Sequence, residues 1–196
     1  MRMPRTIFGP FVAGAALLVC AGMVAVDSAS APAHGTKDAK SLTVREKVLP
    51  SGRSLIIPVA GVETRELVDT YGAPRSEGRA HQGIDIMAPL GTAVLAASDG
   101  RIARFQDSEL GGVGIYQFDA TRRTVFYYAH LNARAAGLRE GQRVRQGEII
   151  GYVGMSGNAP VPHLHFEIQR VSQARRWWTA RAIDPYPHLR SGQTPG

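Results

Sequence analysis

The sequence predicts a mainly β domain, an antiparallel sheet with short helical turns at most, preceded by one apolar N-terminal helix. Three observations carry this. Short apolar runs alternate with polar residues at a period of two, most clearly in Pro162-His163-Leu164-His165-Phe166-Glu167-Ile168. The 22 glycines and 12 prolines exceed what a helical bundle carries and mark many turns. At 196 residues, 44% hydrophobic and 20% charged, the chain has room for one globular domain and an appendage.

Taken in order, Arg2 and Arg5 precede an apolar run over residues 7–26, followed by small residues to Ala33. Positive start, apolar middle and small-residue close form an export signal over residues 1–33. Pro32 hinders cleavage after Ala31, which favours cleavage after Ala33. Left uncleaved, a run of roughly 20 residues is long enough to anchor the chain in a bilayer. Either outcome places the rest outside the cytoplasm, in the periplasm or cell envelope, with membrane contact only through this segment. Cys20, the single cysteine, lies inside the run, and Leu17, Leu18 and Val19 lack the small residues of a lipoprotein signal. The remainder has no thiol, which excludes disulfides and cysteine-ligated zinc.

Residues 34–53 are polar, end at Pro50-Ser51-Gly52 and read as a linker. The folded domain is expected over 54–187. Its first strand is 54–60, and residues 63–71 suit a helical turn stopped by Gly72 and Pro74. In the segment from His81 to Ile86 the period is again two, with His81, Gly83 and Asp85 on one face and Ile84 and Ile86 on the other. Further strands are expected at 93–97, 100–105, 114–118, 124–130 and 149–153, with glycine turns on either side of Val144. Alternation puts Tyr128 on the face of His130. The strand at 162–168 turns Leu164, Phe166 and Ile168 to the core and His163, His165 and Glu167 the other way. Residues 175–187, with Trp177 and Trp178, are expected to pack over the sheet, and 188–196 to form a flexible tail.

The chain carries 23 Lys and Arg against 16 Asp and Glu, a formal charge of +7. The basic residues are scattered, with no long run and no aromatic-interleaved platform, so nucleic acid is not an expected partner. An anionic polymer of the cell envelope is compatible with that surface.

Two imidazoles on a strand whose back is buried raise the question of what joins them. A hydrolytic zinc site takes about three nitrogen or oxygen ligands and keeps an open position for water. His81 and Asp85, four residues apart, together with one residue of the His163/His165 pair, meet that requirement. His130 and the remaining imidazole are left for proton transfer and charge stabilisation.

Five segments occur in the order His81-Gln82-Gly83-Ile84-Asp85, Ala88-Pro89-Leu90-Gly91-Thr92, Tyr127-Tyr128-Ala129-His130-Leu131, Gly141-Gln142-Arg143-Val144 and Pro162-His163-Leu164-His165-Phe166-Glu167. Together they closely resemble the lysostaphin/LytM-type zinc endopeptidases, which cleave peptide cross-links of bacterial peptidoglycan. The resemblance implies an antiparallel sheet with a long substrate groove and one zinc ion held by His81, Asp85 and His165. It also implies His130 and His163 as the catalytic pair. The division of labour between them stays open, with His163 favoured as base because it lies beside the activated water. The sequence departs from the family pattern at residues 112–116 and 157–162, both expected at groove walls. The alternative is a non-enzymatic regulator or binding module of other wall hydrolases. Relatives of that kind have lost one or more of these five residues, and this chain keeps all of them.

Overall fold

Each apolar stripe read from the sequence needs a partner face, and nine strands supply it in one antiparallel sheet. The computed structural model describes residues 54–195. The expected export helix, linker and membrane segment lie outside the described residues. Among those described, no helix is long and apolar enough to cross a membrane. The strands are β1 Ile84–Met87, β2 Ala93–Leu95, β3 Gly100–Ser108, β4 Gly112–Asp119, β5 Thr124–Arg134, β6 Arg143–Val144, β7 Ile149–Val153, β8 His163–Arg170 and β9 Arg181–Ile183. The order is β1-β8-β5-β4-β3-β6, with β7 pairing β5 and β2, and β9 pairing β8. One short helix, α1 Tyr186–Ser191, and three 3-10 segments are all the helix among the described residues.

β8 lies between β1 and β5, and this fixes what its two faces meet. Ile84 pairs with Phe166 and Asp85 with His165 across one side, while Tyr128 pairs with Phe166 and Ala129 with His165 across the other. Ile84, Leu164, Phe166, Ile168, Phe126 and Tyr128 are all fully buried. The rings of Phe126 and Phe166 stack at 5.9 Å. Burying an aliphatic or Phe side chain of this size contributes about 1.5–3 kcal/mol, so the back of β8 is anchored strongly. The period-two reading of residues 83–86 and 163–168 holds.

Where the structure departs from the sequence reading, the cause is local. Residues 54–60 form no strand. They make isolated bridges, from Val59 to Val94 in the sheet and from Ser54 to Gln193 after α1, and Pro58 has no amide hydrogen to donate. The helical turn at 63–71 shrinks to a 3-10 turn, Thr64–Glu66, closed by a capping box between Glu63 and Glu66. The segment read as a tail from residue 188 instead buries Leu189 within α1, and the Leu55 amide donates to the Gly192 carbonyl at 2.9 Å. Gly192 ends α1 at φ 68°, a conformation glycine adopts without strain. Trp177 packs edge-on against Tyr116 and Phe118 as expected over the sheet, whereas Trp178 stays exposed.

The most consequential departure is in β5. His130 has φ 60°, and the β4–β5 register jumps from Ile115–Tyr128 to Val113–Leu131. Two residues of β4 thus span three of β5, a bulge that reverses the alternation beyond it. Tyr128 is therefore a core residue and not a neighbour of His130. Its hydroxyl donates to Gln117 Oε1 at 2.5 Å and accepts the Ala97 amide at 2.9 Å. Tyr127 takes the groove face that strict alternation assigned to Tyr128.

Candidate metal centre

The open face of β8 forms the floor of a cleft of about 640 Å³. Arg75 and Arg79 stand on one wall, and Leu110, Tyr116, Tyr127 and Asn158 on the other. Residues from both segments that depart from the family pattern thus line the cleft, as expected of groove walls.

All five residues singled out in the sequence meet on this floor. Asp85 and His165 are cross-strand partners on β1 and β8, and His81 reaches the same point just before β1. His81 Nε2 lies 2.8 Å from His165 Nδ1 and 3.1 Å from Asp85 Oδ1, and His165 Nδ1 lies 3.3 Å from that oxygen. A tetrahedral ion with bonds of about 2.0–2.2 Å separates its ligand atoms by roughly 3.4 Å. The three separations, 2.8, 3.1 and 3.3 Å, are somewhat tighter than that, so the ligand atoms have only to move apart slightly to admit such an ion. Two imidazoles and one carboxylate, with no thiolate, form a donor set of the catalytic zinc type.

Hydrogen bonds behind the four imidazoles decide which nitrogen of each faces the cleft. His81 Nδ1 donates to the Thr70 carbonyl at 2.7 Å, leaving Nε2 as the acceptor. His165 Nε2 is 2.9 Å from the Glu167 carboxylate, which leaves Nδ1 for a metal. His163 Nδ1 donates to the Val161 carbonyl at 2.8 Å, and His130 Nδ1 to the Ser156 carbonyl at 2.9 Å. The second nitrogens of all four imidazoles therefore converge on one space, the arrangement that metal-ligating and proton-accepting histidines require. The rings of His130 and His163 are 4.8 Å apart, and His163 Nε2 is 3.5 Å from Asp85 Oδ1.

The electrostatics follow from burial and these contacts. Burial works against a charged Asp85, but its contacts with His165, His81 and the Arg75 guanidinium outweigh it and hold the carboxyl well below the usual range. Burial alone depresses His165, yet its contacts with Asp85 and Glu167 overturn that and push it up to about 9. For His130 burial wins: the ring is lowered to about 4, with the Ser156 carbonyl opposing only in part, so it is neutral at pH 7.

Two features of the site escaped the sequence reading. Thr70 and Arg75 touch His81 and Asp85 from a segment with no apolar period to flag it. Tyr127 replaces Tyr128 at the cleft because a positive φ at His130 has no sequence signature. Glu167, which shares a strand face with His163 and His165 and is by sequence as consistent with orienting one of them as with an exposed position, is buried against His165.

A comparison with known proteins finds that the family described as peptidase family M23 matches residues 79–185. The L-Ala–D-Glu endopeptidase of Bacillus subtilis (strain 168) is 36% identical over 133 residues, covering 62% of this chain and 39% of that protein. The peptidoglycan DD-endopeptidase ShyC of Vibrio cholerae is 36% identical over 89 residues, 45% of this chain and 20% of its own length. Among solved structures, the catalytic domain of lysostaphin from Staphylococcus simulans aligns with a TM-score of 0.55 at 29% identity, covering 64% of this chain and 94% of that one. The chain thus spans well under half the length of the first curated relatives it matches, 39% at most.

Proposed function

The chain belongs to peptidase family M23, and from that premise we propose that it is an exported zinc endopeptidase that hydrolyses peptide cross-links of bacterial peptidoglycan. The observation that carries the reading is the convergence of five side chains, His81, Asp85, His165, His130 and His163, in one cleft with every imidazole's outer nitrogen already engaged. His81, Asp85 and His165 are the ligands of one zinc ion. When bound, zinc supplies Lewis acidity and brings the pKa of a water near neutrality.

The chain's own residues do the rest. His163, with Nδ1 tied to the Val161 carbonyl, turns Nε2 to the cleft beside Asp85 Oδ1, and from there it takes the proton of the attacking water and returns it to the leaving amine. His130, neutral through burial and with Nδ1 held by the Ser156 carbonyl, turns Nε2 to the same cleft as a second proton acceptor, and once it carries a proton it steadies the negative charge that develops on the substrate's carbonyl oxygen. The cleft receives an extended peptide between the Arg75 wall and the Tyr127 wall. The regulator alternative is disfavoured because no ligand and no catalytic imidazole is missing.

The test is mass spectrometry of muropeptides released by the zinc-loaded protein. Wild type is expected to release cross-link cleavage products, and His163→Ala and Asp85→Ala to lose at least about a hundredfold in rate, in line with the loss of a general base or an essential ligand. A zinc-loaded wild type that releases nothing from any peptidoglycan chemotype would end this reading.

A further inference from the structure

Of the three metal ligands, only Asp85 is able to bind an ion in two ways, through one oxygen or through both. We propose that Arg75 is a positioning residue of the metal centre, which holds Asp85 as a one-oxygen ligand; this rests on the zinc reading above. The Arg75 guanidinium is hydrogen-bonded to Asp85 Oδ2. That leaves Oδ1 as the oxygen facing His81, His165 and His163, at 3.1, 3.3 and 3.5 Å. A carboxylate free at both oxygens is able to chelate, which raises the coordination from four to five, counting the reacting water, and crowds the position that water needs. A cation on the outer oxygen removes that option, and the planar fork of arginine suits a carboxylate better than a lysine ammonium does.

The arginine is held in place to do this. Residues 69–80 form a strap over the start of β1. The Gly72 amide donates to the His81 carbonyl and the His81 amide to the Ala73 carbonyl, both at 2.9 Å. The Arg75 amide donates to the Arg79 carbonyl at 2.8 Å, and Pro74 and Ala80 form a β-bridge. Thr70 clamps the same two ligands, accepting the His81 Nδ1 hydrogen through its carbonyl and the Asp85 amide through Oγ1 at 3.0 Å. Both Thr70 and Arg75 precede residue 79, where the family match begins. The metal centre therefore extends beyond the segment that identifies the family.

The experiment compares the full chain with R75Q and R75K. Zinc affinity is measured by competition with a chelator, and the coordination number is read from visible absorption after cobalt(II) replaces zinc. R75Q is expected to bind zinc about 10–100-fold more weakly, as loss of such a partner does elsewhere. Its cobalt spectrum should lose intensity as the second Asp85 oxygen enters, with R75K closer to wild type in both readouts. Thermal unfolding of the metal-free proteins separates positioning from folding. Wild-type affinity and spectrum in R75Q would overturn the proposal. So would a weakened affinity accounted for by destabilisation of the metal-free protein. A wild type that takes up neither metal would instead sink the zinc reading itself, and this proposal with it.

Discussion

At the scale of single residues, the site is governed by which atom of each side chain is left free. His165 shows it most clearly, since Glu167 behind it and Asp85 beside it both favour a proton on the ring. Without metal its pKa is raised from 6.5 to about 9. A raised folded-state pKa stabilises the metal-free protein fully below the unfolded value and ceases to do so as pH rises through 9. The same proton must leave when zinc arrives. Zinc uptake at pH 7 should release about one proton from this ring, and apparent affinity should climb by up to tenfold per pH unit until about pH 9. Calorimetry in two buffers of different ionisation enthalpy measures the proton directly, and identical heats in both would contradict the assignment. His130 behaves in the opposite sense. Its pKa is lowered to about 4, so its contribution to stability is present above 6.5 and is lost as pH falls towards 4.

At the scale of elements, Asp85 and His165 are positioned by how closely β1 and β8 approach. Gly83 lies just before β1, and a Cβ built there would fall 2.4 Å from the Phe166 carbonyl oxygen and 2.9 Å from Glu167 Cγ. No backbone atom tolerates that distance, so Gly83→Ala must push the two strands apart at the pair that carries Asp85 and His165. The expected result is a loss of about 1–3 kcal/mol in stability together with weaker zinc binding. Chemical denaturation of the metal-free form and chelator competition check the two halves, and a variant with unchanged zinc affinity would show the strand spacing to be unimportant. The β5 bulge is the other element-scale device. It turns His130 into the cleft while Tyr128, two residues earlier, stays in the core. The strands themselves were largely legible in the sequence, since residues 149–153 and 163–168 carry unbroken patterns. The bulge was not, because one residue in a left-handed conformation changes no residue type.

At the scale of the whole molecule, the sheet is completed by segments far from the site. α1 buries Leu189 at 3% exposure and lies beside Leu55, so the two ends of the described chain close the same core. Leu189→Ala should cost about 2–5 kcal/mol of stability and leave the zinc stoichiometry at one. Thermal melts with and without zinc read the first, and metal analysis of the folded protein the second. A melt identical to wild type would mean that α1 is dispensable to the core. The helix was missed in the sequence because six residues are too few to show a helical period. Only contact with the sheet stabilises so short a segment.

The sequence by itself determined the β class, the buried and open faces of the strands around Asp85 and His165, and the identity of the five residues that meet in the cleft. The class and the faces follow from residue type and a period of two, whereas the five residues were candidates by type and the resemblance of five ordered segments implied that they belong to one site. Only the tertiary structure decided that Tyr127 and not Tyr128 faces the cleft, that Glu167 backs His165, and that Thr70 and Arg75 complete the ligand surroundings. Each of these depends on a register shift or a contact between distant segments, and such contacts exist only once strands and strap are packed together.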